Sequence, residues 1–379
     1  MKNESKRIVV ASVLIFFVLL LQPYYLEWLG VSSDSIETEV NQPAIQADIY
    51  ENNVLEEKAL VDTPLFVDSS IGLELYSVST PLYSISIGNS AGGTILSSSL
   101  LNTSDGDSRL TGGLDQYGVY QYDIPVFLSP LNDSSCAPCL AYYDYSLDEY
   151  KFFNMPFKLI TPLSSNNLSL SLDESFVMEF VYDSDGLIIK KTLTFSGNTY
   201  ILNIDYSIHG PKASEYSFEI FWSGGLQPTE KIELEDVTNG YGMVAQGDDR
   251  IDINISSVDD VIGRTIYNGS SNWVAVRNKY FISSLVPKTP SSFATLSAEN
   301  AFFGNRAVTP KYNMSIGYNN NVNNISADLY FGPLDIDYIK DVDTNLDSSM
   351  NFGFSIIRPI GKLVLVVLKF LHNTLRLNY

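Results

Sequence analysis

Phe176-Val177-Met178-Glu179-Phe180-Val181-Tyr182, then Asp183-Ser184-Asp185-Gly186, then Leu187-Ile188-Ile189-Lys190-Lys191-Thr192-Leu193-Thr194-Phe195 is the stretch that decides the fold class. Two runs rich in β-branched and aromatic residues flank an Asp-Gly pair, whose preference for positive φ matches the twist of two paired antiparallel strands. The spacing predicts a hairpin turning at 183–186. A third run, Tyr200 to Ile208, follows Ser196-Gly197-Asn198 and extends the hairpin to a meander.

Outward from the meander the strand period persists. Leu73, Leu75, Leu82, Ile85 and Ile87 are interleaved with Ser and Glu, and Gly88-Asn89-Ser90-Ala91-Gly92-Gly93 supplies a turn. Further strands are expected at 216–222, 250–255, 273–276 and 325–331, and no long helical pattern occurs between 58 and 335. The expectation is an all-β domain of many antiparallel strands, arranged as one large two-sheet sandwich.

The two ends read differently. Ile8 to Leu21 is an apolar run with Lys2, Lys6 and Arg7 before it and Tyr24, Tyr25 and Trp28 after it. Basic residues on one side and interfacial aromatics on the other predict a membrane anchor with a cytoplasmic N-terminus, extended by Gln22 to Leu26 to the ~20 residues a span needs. A cleaved signal peptide is the competing reading; Gln22-Pro23-Tyr24-Tyr25 offers no small-residue cleavage pattern. The anchor occupies 1–31. Residues 32–58, with Asp34, Glu37, Glu39, Asp48 and Glu51 among polar neighbours, read as a disordered acidic tether. The folded domain is expected over 59–350.

The second apolar run, Ile356 to Leu371, falls in a terminal segment, 351–379. Pro359 suits a first helical turn, and Lys362 and Lys369, seven residues apart, share nearly one face. An amphipathic helix on the membrane surface is predicted, with Arg358, Lys362, Leu363, Val367, Lys369 and Phe370 as its interface residues. A second span is disfavoured by the short length and the two lysines.

Composition agrees with a folded extracytoplasmic domain. Hydrophobic residues make up 45% of the chain, with 24 tyrosines and 20 phenylalanines, enough for a large core. The net charge of −21 argues against nucleic acid or an anionic lipid surface as the partner of the main domain. Sequons at Asn167, Asn254 and Asn324 carry little weight in an Asn- and Ser-rich chain. The cysteines fall together as Cys136-Ala137-Pro138-Cys139. No βαβ pattern surrounds them, as a thioredoxin-like site would require, and the flanks 131–135 and 141–144 read as irregular loop. One cysteine pair cannot make a four-ligand zinc site. A local disulfide in an oxidising compartment is predicted.

Several strings, weak singly, are specific in their order: Thr80-Pro81-Leu82-Tyr83-Ser84-Ile85 leading to Gly92-Gly93, the meander, and Phe221-Trp222-Ser223-Gly224-Gly225-Leu226-Gln227-Pro228-Thr229-Glu230. Asn272-Trp273-Val274-Ala275-Val276-Arg277-Asn278-Lys279-Tyr280-Phe281, Leu329-Tyr330-Phe331-Gly332-Pro333-Leu334 and Asn351-Phe352-Gly353 follow. Together they resemble the N-terminal portion of YidC-type insertases of the YidC/Oxa/Alb family. The resemblance implies a periplasmic β-supersandwich, similar in fold to galactose mutarotases, between an N-terminal membrane helix and an amphipathic helix. It implies an accessory, non-enzymatic module of the bacterial inner membrane, with nascent membrane proteins, the Sec translocon and the lipid bilayer as partners and no cofactor. Its C-terminal edge, about Leu334 to Phe354, would couple it to the membrane part. The five-helix insertase core with its basic groove residue would follow Tyr379, so neither Arg358 nor Arg376 inherits that role. The expectation is an incomplete gene product, with a stand-alone anchored domain as the alternative.

A second function class is an anchored carbohydrate-binding or mutarotase-like protein. Trp222 and Trp273 are its candidate cleft aromatics, although both fall in strand patterns where core packing is commoner. Mutarotase chemistry needs a positioned acid and base. His209 reads as a turn residue, His372 belongs to the terminal segment, and Asp248-Asp249, Asp259-Asp260 and Asp335-Asp337 read as solvated loop charges. No catalytic, cofactor or metal site is expected.

Overall fold

The structure, a computed structural model, describes residues 72–350 apart from 102–109, 131–135, 145–148, 185, 320–321 and 343, and also residue 364. The predicted anchor, the tether and the interface residues Arg358, Lys362, Leu363, Val367, Lys369 and Phe370 lie outside the described residues.

Strands β1 (Leu75–Ser79), β2 (Tyr83–Gly88), β3 (Thr94–Leu100), β4 (Thr111–Leu114), β5 (Tyr120–Pro125), β6 (Cys139–Asp144) and β7 (Glu149–Phe153) come first. They are followed by β8 (Lys158–Leu159), β9 (Asn167–Ser169), β10 (Ser175–Ser184), β11 (Leu187–Ser196), β12 (Ile201–His209) and β13 (Phe218–Trp222). A short helix α1 (Glu233–Asn239) precedes β14 (Tyr241–Gln246), β15 (Asp249–Ile253), β16 (Ile262–Asn268) and β17 (Trp273–Arg277). The last strands are β18 (Phe281–Pro287), β19 (Phe293–Asn300), β20 (Pro310–Gly317) and β21 (Asn324–Pro333), after which helix α2 (Ile336–Ile339) begins the C-terminal segment.

A nine-stranded sheet, in the order β15-β14-β17-β18-β21-β12-β11-β10-β8, is the backbone of the domain. A six-stranded sheet, β16-β19-β20-β13-β6-β7, packs on part of its inner face, where Trp222 meets Phe331 at 5.3 Å between ring centroids. A four-stranded sheet, β3-β2-β1-β9, packs on the remainder, where Tyr76 meets Phe180 at 6.1 Å and Tyr83 meets Tyr200 at 6.4 Å. The fold is an all-β sandwich whose second layer is made by two sheets rather than one.

The meander shows why. Met178 and Phe180 of β10, Ile189, Leu193 and Phe195 of β11, and Leu202, Ile204, Tyr206 and Ile208 of β12 are buried, alternating with Glu179, Lys190, Thr192, Asn203, Asp205 and Ser207 on the outer face. Each fully buried aliphatic or aromatic side chain contributes about 1.5–3 kcal/mol, and the period of two directs all of them to one side. The ladder β10–β11 continues to the pair Ser184–Leu187, so the turn is two residues long, shorter than 183–186. Gly186 at φ +79° takes the left-handed conformation such a turn needs.

Some expected loops are structure. Residues 141–144 belong to β6, which pairs with β13 and β7, so the irregular-loop reading of that flank is corrected. Ala141 and Tyr142 are buried there between two neighbouring strands. Gly92 and Gly93 do form a tight turn, at φ +68° and +98°, and a Cβ on Gly93 would stand 2.6 Å from Leu193 Cδ1. The turn thus lets the four-stranded sheet close on β11.

Candidate functional site

Two places on the outer face of the nine-stranded sheet are built for something other than packing alone. Register sets them out. The rows Lys190–Ser207–Asn324 and Thr192–Asp205–Ser326 lie side by side across β11, β12 and β21 at one end of the sheet. The row Ala275–Ser284–Tyr330–Ile201 lies nearer the other end, on the same face.

The first place is an open groove of about 330 Å³ lined by Lys190, Thr192, Asp205, Ser207, Asn324 and Ser326, among others. Of its two charged side chains, Lys190 and Asp205, the lysine is ion-paired. Lys190 Nζ is 2.5 Å from Glu179 Oε1, and Ser207 Oγ donates to Asn324 Oδ1 at 2.9 Å. His209 is the last residue of β12 rather than a turn residue, with Nε2 2.8 Å from Ser207 Oγ at the groove rim. Trp222 and Trp273 are not here. Both are fully buried: Trp222 donates to Gly225 O at 3.0 Å and Trp273 to Asn345 Oδ1 at 3.1 Å. The cleft role proposed for them is therefore corrected: alternation takes Trp222 into the sandwich interior, Trp273 lies on the outer face beneath the C-terminal segment, and each indole N–H finds a protein acceptor.

The second place is where the C-terminal segment crosses the sheet. Pro333 ends β21, and the buried Tyr330 hydroxyl donates to its carbonyl at 2.6 Å. Leu334 N donates to Tyr280 O at 2.7 Å. Asp335 then caps α2, its Oδ1 accepting from Asp337 N at 3.0 Å. Ile339, Val342 and Leu346 bury the segment's apolar side, and Tyr338 packs edge-on to Tyr200 at 5.1 Å. Two arginines hold its far end. Arg277, buried, donates from Nη1 to Ser349 O at 2.8 Å, and Arg250 Nη1 donates to Ser348 O. Burial pulls the Arg277 guanidinium below its ordinary range, but an arginine remains cationic in any case. Asn345, at φ +46°, leads into a 3-10 turn, Leu346–Ser349, and offers its side-chain oxygen to Trp273.

Other predicted sites fall as follows. Cys136 and Cys139 are disulfide-bonded and pack with Ala91, Phe152 and Phe221. Asp260 accepts from Ser256 N at 2.8 Å and Ser257 N at 2.9 Å, hydrogen bonds that hold its carboxyl down at about 2. No group of metal-ligating side chains occurs among the described residues. Sequence reasoning passed over Arg250, Asn345 and Lys191. Lys191 was legible from parity, because Ile189 and Leu193 place it on the inward face.

The sequence profile of the YidC periplasmic domain matches residues 162–363, more than half of the chain, and runs through this clamped segment. The chain belongs to the YidC family. The membrane protein insertase YidC of Chloroherpeton thalassium is 26% identical over 216 residues, covering 55% of this chain and 37% of that protein. The YidC insertase of Chlorobium limicola is 29% identical over 175 residues, covering 45% and 30%. The chain thus spans about a third of the length of the curated YidC relatives it matches. Among solved structures, a galactose mutarotase related enzyme from Lactobacillus acidophilus covers 68% of this chain and 97% of its own, at 11% identity and a TM-score of 0.37. A putative aldose 1-epimerase from Escherichia coli K12 covers 69% and 99%, at 8% identity and 0.35. Likeness at that level carries no argument about chemistry; the sandwich rests on the strand topology and the YidC periplasmic-domain match.

Proposed function

We propose that this chain is the periplasmic module of a membrane protein insertase, held at the bacterial inner membrane by its N-terminal apolar run with the N-terminus cytoplasmic. The module is accessory and non-enzymatic. It serves nascent inner-membrane proteins, with or without the Sec translocon, by positioning a folded domain over the site of insertion. The observation that carries this reading is the YidC periplasmic-domain match, which extends to residue 363, past the clamped segment and into the second apolar run. A domain coupled to membrane elements needs such a join, one that transmits position without unfolding.

The test separates module from machine. Purified residues 1–379 in liposomes are expected to insert a small single-span substrate no better than protein-free liposomes, because an accessory module does not itself lower the cost of taking polar segments into lipid. The same chain fused ahead of a five-helix insertase core is expected to insert it. Insertion by 1–379 alone would overturn the accessory role, and failure of the fusion would overturn the insertase reading. The carbohydrate reading has lost its aromatic platform, since both tryptophans are buried.

A further inference from the structure

The end of the sandwich from which β21 leaves carries large apolar side chains that are exposed among the described residues. The β4–β5 hairpin presents Tyr117, 67% exposed, and Tyr122, 65% exposed. Beside it, the loop between β19 and β20 presents Phe302, 91% exposed, and helix α1 presents Leu234. Tyr280, in the β17–β18 turn, and Val261, just before β16, complete the set.

These elements form one surface. A Cβ on Gly304 would meet Tyr117 O, and one on Gly118 would stand 3.1 Å from Phe303 O, so the hairpin and the loop are in contact. Lys231 Nζ donates to the Tyr122 hydroxyl at 2.8 Å, joining the hairpin to the entrance of α1. Arg306 then pins the loop to α1, with Nη1 2.5 Å from Asp236 Oδ2 in a buried pair, and Nη2 donates to Glu230 O. Asn254 Nδ2 donates to Val237 O at 3.0 Å, bringing in the segment that holds Val261. Lys279 Nζ reaches Glu235 Oε2 at 2.8 Å and brings in Tyr280, whose carbonyl holds Leu334 at the start of the C-terminal segment.

Four turns of the same two large sheets at the opposite end are different. Asp183 to Leu187, Gln246 to Asp249, Asn268 to Asn272 and Tyr318 to Asn323 carry no exposed large apolar side chain among the described residues. Exposed large apolar side chains occur elsewhere too, at Leu73, Leu75, Ile188 and Ile251, but here several loops joined by hydrogen bonds present them together, and contiguous exposed apolar groups mark a contact surface.

We propose that this end of the domain docks on the outer leaflet of the lipid bilayer, with Phe302, Tyr117, Tyr122, Leu234, Val261 and Tyr280 entering the interfacial region. The occupant is lipid because of where the chain goes. The described segment leaves β21 at this end, Ser349 is held by Arg277 three residues from Tyr280, and the sequence then runs into Ile356 to Leu371. Tyrosine and phenylalanine suit the headgroup layer, where a ring is half in lipid; Lys279 beside them is paired with Glu230 and Glu235, so the contact is carried by the apolar side chains and not by attraction to anionic lipid. The inference rests on the proposed membrane attachment of the terminal runs, and its test separates the two.

The full chain, carrying an environment-sensitive fluorophore on Phe302→Cys or, as the opposite-end control, on Ser270→Cys, is reconstituted in phosphatidylcholine vesicles containing nitroxide lipids. Flotation after an alkaline wash reports attachment, and quenching reports docking. The expected result is flotation of both proteins, with quenching at 302 at least about twofold stronger than at 270. Flotation with equal quenching at the two positions overturns the docking surface and leaves attachment standing. Loss of flotation overturns the attachment reading, and docking with it. Shielding of the 302 label that depends on protein concentration and not on nitroxide lipid assigns the surface to a second copy, which also overturns docking. In a Tyr117→Ser, Leu234→Ser background, whose changed side chains are exposed, the difference in quenching is expected to fall.

Discussion

Lys191 is fully buried on the inner face of β11, its ammonium donating to Pro138 O at 2.8 Å and Ala91 O at 3.1 Å and lying 5.5 Å from the Tyr206 ring centroid. It stitches the Gly92-Gly93 turn and the disulfide turn onto the meander with no carboxylate bonded to it among the described residues. Burial pulls its ammonium down to about 7 from an ordinary 10.5. The sign follows from proton counting. Between those values the unfolded chain binds more protons than the folded one, so stability rises with pH across the window and its increase is lost as pH falls toward 7. We expect the free energy of unfolding to increase by roughly 1–2 kcal/mol between pH 7.5 and 9, since one pKa unit is worth about 1.4 kcal/mol. Lys191→Met, which keeps the volume and removes the charge, flattens that slope in urea titrations at several pH values. A native protein whose stability is level over this range would show that the carbonyls keep the ammonium charged.

At the scale of elements, the C-terminal segment is the part whose hold on the sheet can be loosened separately. Arg277 contributes a charge-assisted hydrogen bond of about 1.5–3 kcal/mol to Ser349 O, but it does so at the cost of a buried cation, and removing both can leave global stability nearly level. Arg277→Met is therefore expected to leave the unfolding midpoint of the sandwich within a small margin while limited proteolysis within 334–350 speeds up at least about tenfold. Unchanged proteolysis would mean that Ile339, Val342 and Leu346 hold the segment without the arginine. This element also shows where the sequence was opaque. The meander was legible because its two faces differ in chemistry. β18, Phe281 to Pro287, was not, because it is buried on both sides and shows no alternation: Ser283 and Ser284 lie as deep as Ile282 and Leu285. Helix α1 was missed because two turns are too few to show a period, and Arg277 was quoted within a specific string without its partner Ser349, 72 residues on, being foreseeable.

For the whole molecule, the all-β class and nine of the twenty-one described strands, β1, β2, β10 to β13, β15, β17 and β21, followed from local alternation. The division of the second layer into two sheets did not, since it depends on contacts such as Lys191 to Ala91 that join residues a hundred positions apart. The groove shows a similar limit. Its polar rows were readable as outward positions of β11, β12 and β21, but which rows the C-terminal segment covers and which it leaves open is decided by the path after Pro333.

The position of β21 has a mechanical meaning. It lies inside the nine-stranded sheet, hydrogen-bonded to β12 on one edge and β18 on the other along most of its length. Tension applied through Pro333 therefore acts along the strand and loads both ladders in shear, all rungs together, whereas an edge strand pulled from its tip would peel rung by rung. In single-molecule pulling between residues 72 and 350, β21 should be among the last strands to yield, after the four-stranded sheet has opened; release of β21 first would contradict this. A join so placed lets load pass through the C-terminal segment while the ladder of β21 stays closed.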